Sequence, residues 1–290
     1  MARDPWVAFA SHISSLSSGR RETCLRSPTR GRSWASPERG MRRSVAVVRN
    51  WTLVRVDGDV AVMNAASLVK QVIAHLALEC IEDLGESVLG DISVRHVLTH
   101  TTGLPNWRPG GQALKPLRPP GQRWGYSGEG FVLLQEHLQR RLGVPIATLA
   151  RDRVFGPLCM DHSRLADPEP GFHGYRPLFT TAADYGLFLA HVLRLDDARW
   201  QPLWHIDDQL AWGAGWGIEL GPPIYGWQWG LNDDANNFVI GCPSTGDGVV
   251  VLTDDPEGRN YYRAVVQREL PGHHASLGVE QNPTWLSLLA

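Results

Sequence analysis

The order of strand-like and helix-like patterns along the chain constrains its fold more than any other feature. A short β-branched run, Val45–Val48, ends in a turn at Arg49–Asn50, and three helical patterns follow in the middle of the chain. Three neighbouring strand-like runs and one amphipathic helix occupy the last third. Adjacent strands with short links pair antiparallel, and separate runs of strands and helices indicate an α+β protein. The order therefore predicts an antiparallel sheet flanked by helices, with a helical subdomain inserted between the sheet segments.

The helical patterns in the middle have recognisable start and stop signals. Asn64 can cap the first helix and Gly85 can end it. The apolar residues at helical spacing in this first helix are Ala65, Leu68, Val69, Val72, Ile73, Leu76, Cys80 and Leu84. A second apolar stripe lies at Phe131, Leu134, Leu138 and Leu142. Gly143 closes this second helix, and a third begins at Thr181 with Asp184 three residues later, which is a capping-box pattern.

The strand-like runs are concentrated in the last third. They are Ile224–Leu231, Asn237–Gly241 and Val249–Thr253, and Pro243–Gly248 has the composition of a hairpin connection between the last two. Tyr261–Leu270 then has the pattern of an amphipathic helix. These patterns predict that the sheet part lies at about residues 45–62 and 200–270, and the helical part at about residues 63–199.

Charge sets the first segment of the chain apart. Residues 1–50 hold ten arginines, no lysine and three acidic residues, a net charge of +7, whereas the remaining 240 residues carry −9. An Arg- and Ser-rich start with few acids is typical of a transit peptide or a basic arm. The alternative is an unstructured or wrongly assigned N-terminus, with Met41 as a later start. We expect a basic arm at residues 1–44, a folded domain at 45–270 and a C-terminal tail at 271–290.

Composition argues against several classes of protein. With 43% hydrophobic and 20% charged residues, the chain has the composition of a soluble globular protein. No stretch approaches 18 uninterrupted apolar residues, so no membrane-spanning helix is expected. The net charge of −2 argues against nucleic acid as the main partner. No secretory signal is recognisable, which indicates a cytoplasmic location, and the sequence does not indicate an oligomeric state.

The cysteines and histidines form no metal-binding pattern. The cysteines, which have no C-x-x-C spacing, are Cys24, Cys80, Cys159 and Cys242. His96 and His100 lie four residues apart, but no glutamate follows His96, so we interpret both as capping or packing residues near a turn. His273 and His274 are expected to be solvated. We therefore predict no metal and no cofactor.

The first helix carries a possible nucleophile and its activating base. Ser67 and Lys70 lie three residues apart, which puts both side chains on one helical face within reach of each other. A serine hydroxyl is a poor nucleophile until a neighbour takes its proton, and a lysine can take it only when burial or positive charge lowers its pKa. A serine in the first helical turn also lies beside backbone N–H groups that can bind an oxyanion. The alternative is a solvent-facing serine and lysine without chemistry.

Four further segments resemble one family in residue type and order. Asp91–Pro105 (DISVRHVLTHTTGLP) is similar to a conserved stretch of the serine β-lactamase-related family, which groups class C β-lactamases, D-alanyl-D-alanine carboxypeptidases and certain esterases. Pro120–Phe131 resembles its Tyr-x-Asn region and Phe155–Met160 its P-L-G-M turn. Pro243–Thr253 resembles its late strand hairpin. The chain is therefore identified as a member of this family, with its catalytic domain at residues 45–270.

The resemblance implies roles for particular residues in a β-lactamase/transpeptidase-like fold. Ser67 would be the nucleophile, Lys70 its activating partner and Tyr126 the second proton-transfer group. Gln228-Trp229-Gly230 is the best match to the family's third motif, on a strand that would face the serine. The oxyanion donors would be the backbone N–H groups of Ser67 and Leu231. The implied partner is a small-molecule ester or amide.

Two departures from the family pattern concern substrate binding. Gly128 replaces the Asn of Tyr-x-Asn, which removes an amide that would orient substrate and lysine. Gln228 replaces the Lys or His of the third motif, which removes a positive charge that would hold a substrate carboxylate and favour ionisation of Tyr126. We expect Gly128, Gln228, Trp229 and Gly230 to contact the substrate, and Trp107, Trp124 and Trp227 to border the same cleft.

These departures favour an esterase that acts on small uncharged esters. One alternative is a catalytically impaired member that binds peptidoglycan fragments, β-lactams or a partner protein, and another is a weak β-lactamase or D-amino-acid peptidase. An α/β-hydrolase is not supported, because Gly125–Glu129 lacks the second glycine of G-x-S-x-G.

Overall fold

The computed structural model describes residues 41–108, 112–167, 176–232 and 235–281. The basic arm expected at residues 1–44 lies outside the described residues except for positions 41–44. The expected tail at 271–290 is described as far as residue 281.

Strands and helices of the described residues alternate in the order expected for an α+β protein. The strands are β1 (Arg43–Arg49), β2 (Thr52–Gly58), β3 (Met63–Asn64), β4 (Ser87–Leu89), β5 (Ile92–Ser93), β6 (Arg164–Leu165), β7 (Leu178–Thr180), β8 (Trp204–His205), β9 (Leu210–Trp212), β10 (Gly217–Glu219), β11 (Tyr225–Asn232), β12 (Ala235–Cys242) and β13 (Asp247–Thr253). The α-helices are α1 (Val69–Cys80), α2 (Val94–Leu98), α3 (Gly128–Leu142), α4 (Ile146–Ala150), α5 (Ala182–Val192) and α6 (Gly258–Glu269). The 3₁₀ turns are Ala66–Leu68, Ala198–Trp200 and Ala275–Gln281, and Arg151–Phe155 forms a π turn.

The main sheet has eight antiparallel strands drawn from both ends of the described chain. Their order is β2-β1-β13-β12-β11-β10-β9-β8. Two small sheets, β3-β7-β6 and β4-β5, lie in the middle of the chain.

Both faces of the central strands are buried, which explains why apolar residues stand next to each other in their sequences. Val45 and Val47 of β1 point into a cluster with α6 residues such as Val265. Ala46 and Val48, the alternate residues of the same strand, belong to the larger cluster that contains α1, α3 and α5. A strand buried on both faces loses the polar alternation of a half-exposed strand. Helices therefore cover the sheet on both sides.

Most of the predicted elements are confirmed. The strand at Val45–Val48 is β1, and the three late runs are β11, β12 and β13. Gly143 adopts φ 66° at the end of α3, and the Thr181 side chain accepts a hydrogen bond from the backbone N–H of Asp184 at the start of α5. The fold class, an antiparallel sheet with flanking helices, is as predicted.

The first helix differs from its prediction at both ends. It begins at Val69 with no side-chain cap, so Asn64 does not cap it and bonds instead to the backbone N–H of Ala66. It stops at Cys80, because Ile81 is extended (φ −128°, ψ 113°), and it does not reach Gly85. Asp83 accepts a hydrogen bond from the backbone N–H of Gly85 at 2.8 Å, which forms a turn in place of the last helical turn. An aspartate two residues before a glycine favours this turn over a helix.

Strand β2 and strands β8–β10 lie within the ranges predicted for the sheet part, but the sequence did not predict them as individual strands. The turn that returns the chain into β2 uses Asn50 and Trp51 at φ 48° and 57°, the positive angles of a two-residue hairpin. β2 is largely exposed, and β8–β10 have two or three residues each, so no periodicity of buried residues marks them.

The expectation that His274 is solvated is wrong, whereas His273 is exposed. The His274 ring donates to Glu219 Oε2 at 2.8 Å and to the carbonyl of Leu270 at 2.9 Å. Glu219 Oε1 also accepts from the backbone N–H of Ser276 at 2.9 Å. These bonds hold the segment after α6 against β10. In the part of the chain that the structure describes, none of the helices is long and apolar enough to cross a bilayer.

Candidate active site

Ser67 lies in a short 3₁₀ turn between β3 and α1. The preceding residue, Ala66, adopts φ 48°, a strained angle for a residue with a side chain. The backbone N–H of Ala66 donates a hydrogen bond to Asn64 Oδ1 at 2.8 Å. On the other side of the serine, the buried phenol of Tyr185 donates to the carbonyl of Leu68 at 2.8 Å. Burial raises the pKa of Tyr185 well above its usual value, so the phenol keeps its proton and remains a donor. Contacts from two elements therefore fix the turn that carries Ser67.

Lys70 is in direct contact with Ser67. Its Nζ donates to Ser67 Oγ over 2.9 Å, and both residues are buried. Burial lowers the pKa of Lys70 well below its usual value, because an ammonium group loses its hydration there. The structure thus brings the two residues of the S-x-x-K motif together, with an amine that is readily deprotonated beside a hydroxyl.

Three aromatic rings surround the amine of Lys70. Its Nζ lies 5.0 Å from the ring centre of Tyr126, 5.7 Å from that of Trp107 and 5.9 Å from that of Phe131. These rings exclude water from the amine. Phe131 on α3, with Trp107 and Tyr126 in the connection between α2 and α3, therefore contributes to the burial that lowers the pKa of Lys70.

Tyr126 is held by a stack of rings behind it. The His100 ring lies 4.2 Å from the Tyr126 ring, and His100 Nδ1 accepts a hydrogen bond from the backbone N–H of Ser127 at 3.1 Å. Burial, and secondly the charge of Lys70, lower the pKa of His100 well below its usual value. A neutral His100 can accept this bond, so it holds both Tyr126 and the residue after it.

The interpretation of His96 and His100 as capping and packing residues is confirmed. Ser93 and His96 form a capping box at the start of α2, and His100 packs among aromatic rings at φ 55°. Sequence reasoning did not connect His100 or Tyr185 with the site. For His100, its place in the Asp91–Pro105 stretch was an available signal.

Strand β11 approaches the Ser67 turn through its glycine. A Cβ atom on Gly230 would lie 2.4 Å from the carbonyl oxygen of Ala65, so only glycine permits this approach. Gln228 is fully buried, and its Nε2 lies 3.5 Å from the phenol oxygen of Tyr126. The ladder between β10 and β11 ends at the pair Gly217–Trp227, before these residues. The third-motif match therefore lies beside the serine turn, and the oxyanion role of the Ser67 and Leu231 N–H groups stays a prediction.

Gly128 lies beneath an indole ring. A Cβ atom at this position would lie 2.5 Å from Cη2 of Trp107 and 2.8 Å from the carbonyl oxygen of Asn106. Trp107 therefore occupies the space that a side chain at position 128 would take. Its aromatic face stands beside Lys70.

One of the tryptophans expected to border the cleft, Trp227, belongs to the core. Trp227 is completely buried, its ring lies 4.9 Å from that of Trp229, and it stacks on Phe238. The prediction that Trp227 borders the cleft is therefore wrong. It packs over Gly217, where a Cβ would come within 2.4 Å of its ring. Trp124 and Trp229 are only 2% and 6% exposed, whereas Trp107 is 39% exposed. Among these four, Trp107 offers the accessible aromatic surface.

Comparison with known proteins places the same residues in one family. The Beta-lactamase family model matches residues 45–270. None of the curated proteins searched matches the chain. A beta-lactamase from Mycobacterium bovis is 24% identical with a TM-score of 0.59, over 79% of this chain and 95% of that one.

Two further solved structures have a similar fold. The octameric penicillin-binding protein homologue from Pyrococcus abyssi is 17% identical with a TM-score of 0.64, over 79% of this chain and 75% of that one. A D-stereospecific amidohydrolase from Streptomyces sp. is also 17% identical, with a TM-score of 0.63 over 81% of this chain and 95% of that one. At these identities the structures bear on the fold alone, and they support the β-lactamase/transpeptidase-like architecture.

Proposed function

The chain belongs to the beta-lactamase family of serine hydrolases, and on this premise we propose that it is an esterase that acts on small uncharged esters through an acyl-enzyme on Ser67. The observation that carries the proposal is the 2.9 Å contact between Lys70 Nζ and Ser67 Oγ, with an amine whose pKa burial lowers well below its usual value. A deprotonated amine at this distance can accept the hydroxyl proton.

In the proposed acylation step, Ser67 Oγ attacks the ester carbonyl carbon while its proton passes to Lys70 Nζ. The carbonyl oxygen becomes an oxyanion, which the backbone N–H groups of Ser67 and Leu231 would bind. When the tetrahedral intermediate collapses, the bond to the alkoxy group breaks and the leaving oxygen receives a proton through Tyr126. Water then attacks the acyl-enzyme by the reverse proton path, which releases the acid and restores Ser67.

The preference for uncharged esters rests on Gln228. A substrate carboxylate needs a cation or several donors, and the third-motif position offers one buried neutral amide that already contacts Tyr126. Penicillins and peptides that end in D-Ala-D-Ala carry such a carboxylate. Uncharged esters do not need this partner.

The test is a hydrolysis panel with a matched inactive variant. We expect the wild-type protein to hydrolyse p-nitrophenyl esters faster than a chromogenic cephalosporin, as a ratio of kcat/KM on one preparation. An alkyl fluorophosphonate is expected to label wild-type protein and not Ser67→Ala. A preference for the cephalosporin would support the weak β-lactamase, and binding of either compound without turnover or labelling would support the impaired binding protein.

A further inference from the structure

Trp107 is fixed in place by the residues on both sides of it. The carbonyl oxygen of Asn106 accepts hydrogen bonds from the backbone N–H groups of Gly128 and Glu129 at 3.0 and 3.1 Å, and Asn106 Oδ1 accepts from Gly128 as well. The backbone N–H of Arg108 donates to Glu129 Oε1 at 3.1 Å, and Arg108 Nε forms an ion pair with Glu129 Oε2 at 3.3 Å. The Glu129 carboxylate is 1% exposed, so water does not compete for its side of this pair. The loop is therefore pinned to the first turn of α3.

The pinned loop places the indole between Lys70 and solvent. The Trp107 ring lies across Gly128 and 5.7 Å from Lys70 Nζ, and it is 39% exposed. One side of the ring thus contributes to the dry environment of the amine. Part of the residue stays exposed beside Lys70, whose amine contacts Ser67.

We propose that Trp107 is the specificity-determining residue of the site, and that its indole restricts the site to esters of short apolar acyl groups. This inference rests on the proposed esterase function. A rigid ring that fills the space of residue 128 shortens the pocket on that side. It offers an apolar face where an amide side chain could otherwise bind a polar acyl substituent, so it favours apolar groups that fit in front of it.

The first experiment measures acyl-chain preference. We expect the ratio of kcat/KM for p-nitrophenyl octanoate to that for p-nitrophenyl acetate to rise about tenfold in Trp107→Ala, as expected for a pocket that gains several buried methylene contacts. Trp107→Phe is expected to give an intermediate rise, because part of the ring remains.

Trp51→Ala is the matched control. Trp51 is partly buried, and its backbone N–H donates to the carbonyl of Gly246 in the turn after β12. The end of β12 lies about 17 Å along the strand from Asn237, whose side-chain amide donates to the carbonyl of Asn64 just before the serine turn. The octanoate-to-acetate ratio of kcat/KM in Trp51→Ala is expected to equal that of the wild type. A Trp107→Ala ratio within twofold of an active wild type would overturn this inference alone, whereas a wild type that hydrolyses no ester would overturn the esterase function and this inference with it.

The second experiment tests the position of the indole without any activity. Gly128→Ala is expected to lower the midpoint of urea unfolding strongly, because its Cβ meets the ring at 2.5 Å. In a Trp107→Ala background, Gly128→Ala is expected to lower the urea midpoint clearly less. The part of the loss that remains would come from the 2.8 Å contact of the new Cβ with the carbonyl oxygen of Asn106. Additive costs in this double-mutant cycle would mean that the ring does not cover Gly128, and would overturn the inference.

Discussion

The carboxamide of Gln228 donates a hydrogen bond to the phenol oxygen of Tyr126 over 3.5 Å, so the third-motif position reaches the tyrosine without bringing a charge to it. Gln228 is completely buried on β11, and its Oε1 accepts from the backbone N–H of Trp229 at 3.3 Å. At 3.5 Å the bond to Tyr126 is long and weak. Under the proposed function, this position would act both on the substrate groups that the site can hold and on the polarisation of Tyr126.

Gln228→Lys is expected to shift the preference of the enzyme toward substrates that carry a carboxylate. A charge-assisted hydrogen bond exceeds a neutral one by about 1 kcal/mol, which is about fivefold in kcat/KM. The ratio of kcat/KM for a cephalosporin to that for p-nitrophenyl acetate should therefore rise about fivefold. Gln228→Met, which has a similar length and no charge, is the control. An equal rise in both variants would show that the charge is not the cause.

The low pKa of Lys70 can be measured directly, because the chain has only two lysines, Lys70 and the exposed Lys115. Protein grown with lysine labelled with ¹³C at Cε should give two signals by NMR, and Lys115→Arg assigns them. The Lys70 signal is expected to titrate well below the value of about 10.4 found for lysine in short peptides, because burial disfavours its charged form. A Lys70 signal that titrates at or above the peptide value would remove its role as the base.

Lys70→Met is expected to abolish activity and to stabilise the fold. Between the folded pKa and the unfolded pKa of about 10.4, the folded state binds fewer protons at Lys70 than the unfolded state, so stability is lost as pH falls from about 10.4 toward the folded pKa. Methionine has a similar length and carries no charge. At pH 7 its Tm should exceed that of the wild type, by about 2–4 °C for each kcal/mol gained. The gain should shrink as pH approaches 10.

Lys70→Arg serves as the comparison for this variant. It should be inactive like Lys70→Met, because a guanidinium group does not release its proton at working pH. It should also be destabilised, because it keeps a buried charge. Equal Tm values for both variants and the wild type would contradict the buried-amine account, and Lys115→Arg should change neither activity nor Tm.

The elements that could be predicted from the sequence are those whose buried residues form long patterns. β11–β13 are long runs of mostly buried residues, and α3 and α5 carry both an apolar stripe and a cap. The contact between Ser67 and Lys70 follows from three-residue spacing on a helical turn. Local rules were sufficient for these features.

Features that depend on contacts between distant segments could not be predicted in this way. Trp107 lies over Gly128 only because Asn106 and Arg108 bond to the start of α3. Trp227 is in the core because Gly217 on the neighbouring strand leaves room for its ring. The number of tryptophans in a sequence does not distinguish a cleft wall from a core, since both bury aromatic surface.

The ion pair between His274 and Glu219 is expected to make stability depend on pH. Burial of the His274 ring lowers its pKa, but the hydrogen bond and charge of Glu219, together with the Leu270 carbonyl, raise it above its usual value. Both ring nitrogens face acceptors, so the protonated ring satisfies both contacts. The folded state therefore binds more protons than the unfolded state between the unfolded pKa of about 6.5 and the folded value, and stability is present below pH 6.5 and lost as pH rises through that window.

His274→Gln should remove this dependence and leave Glu219 with a weaker partner. Thermal unfolding of the wild type and the variant at several pH values should show the largest difference in Tm near pH 5.5–6 and a smaller one near pH 9. A hydrogen bond to a charged group contributes about 1.5–3 kcal/mol, which corresponds to several degrees for a chain of this size. His273→Gln is the matched control, because the His273 ring, next to His274 in the chain, is exposed. The Tm of this variant should follow that of the wild type at every pH. A difference between His274→Gln and the wild type that does not change with pH would mean that the ring contributes packing and not charge.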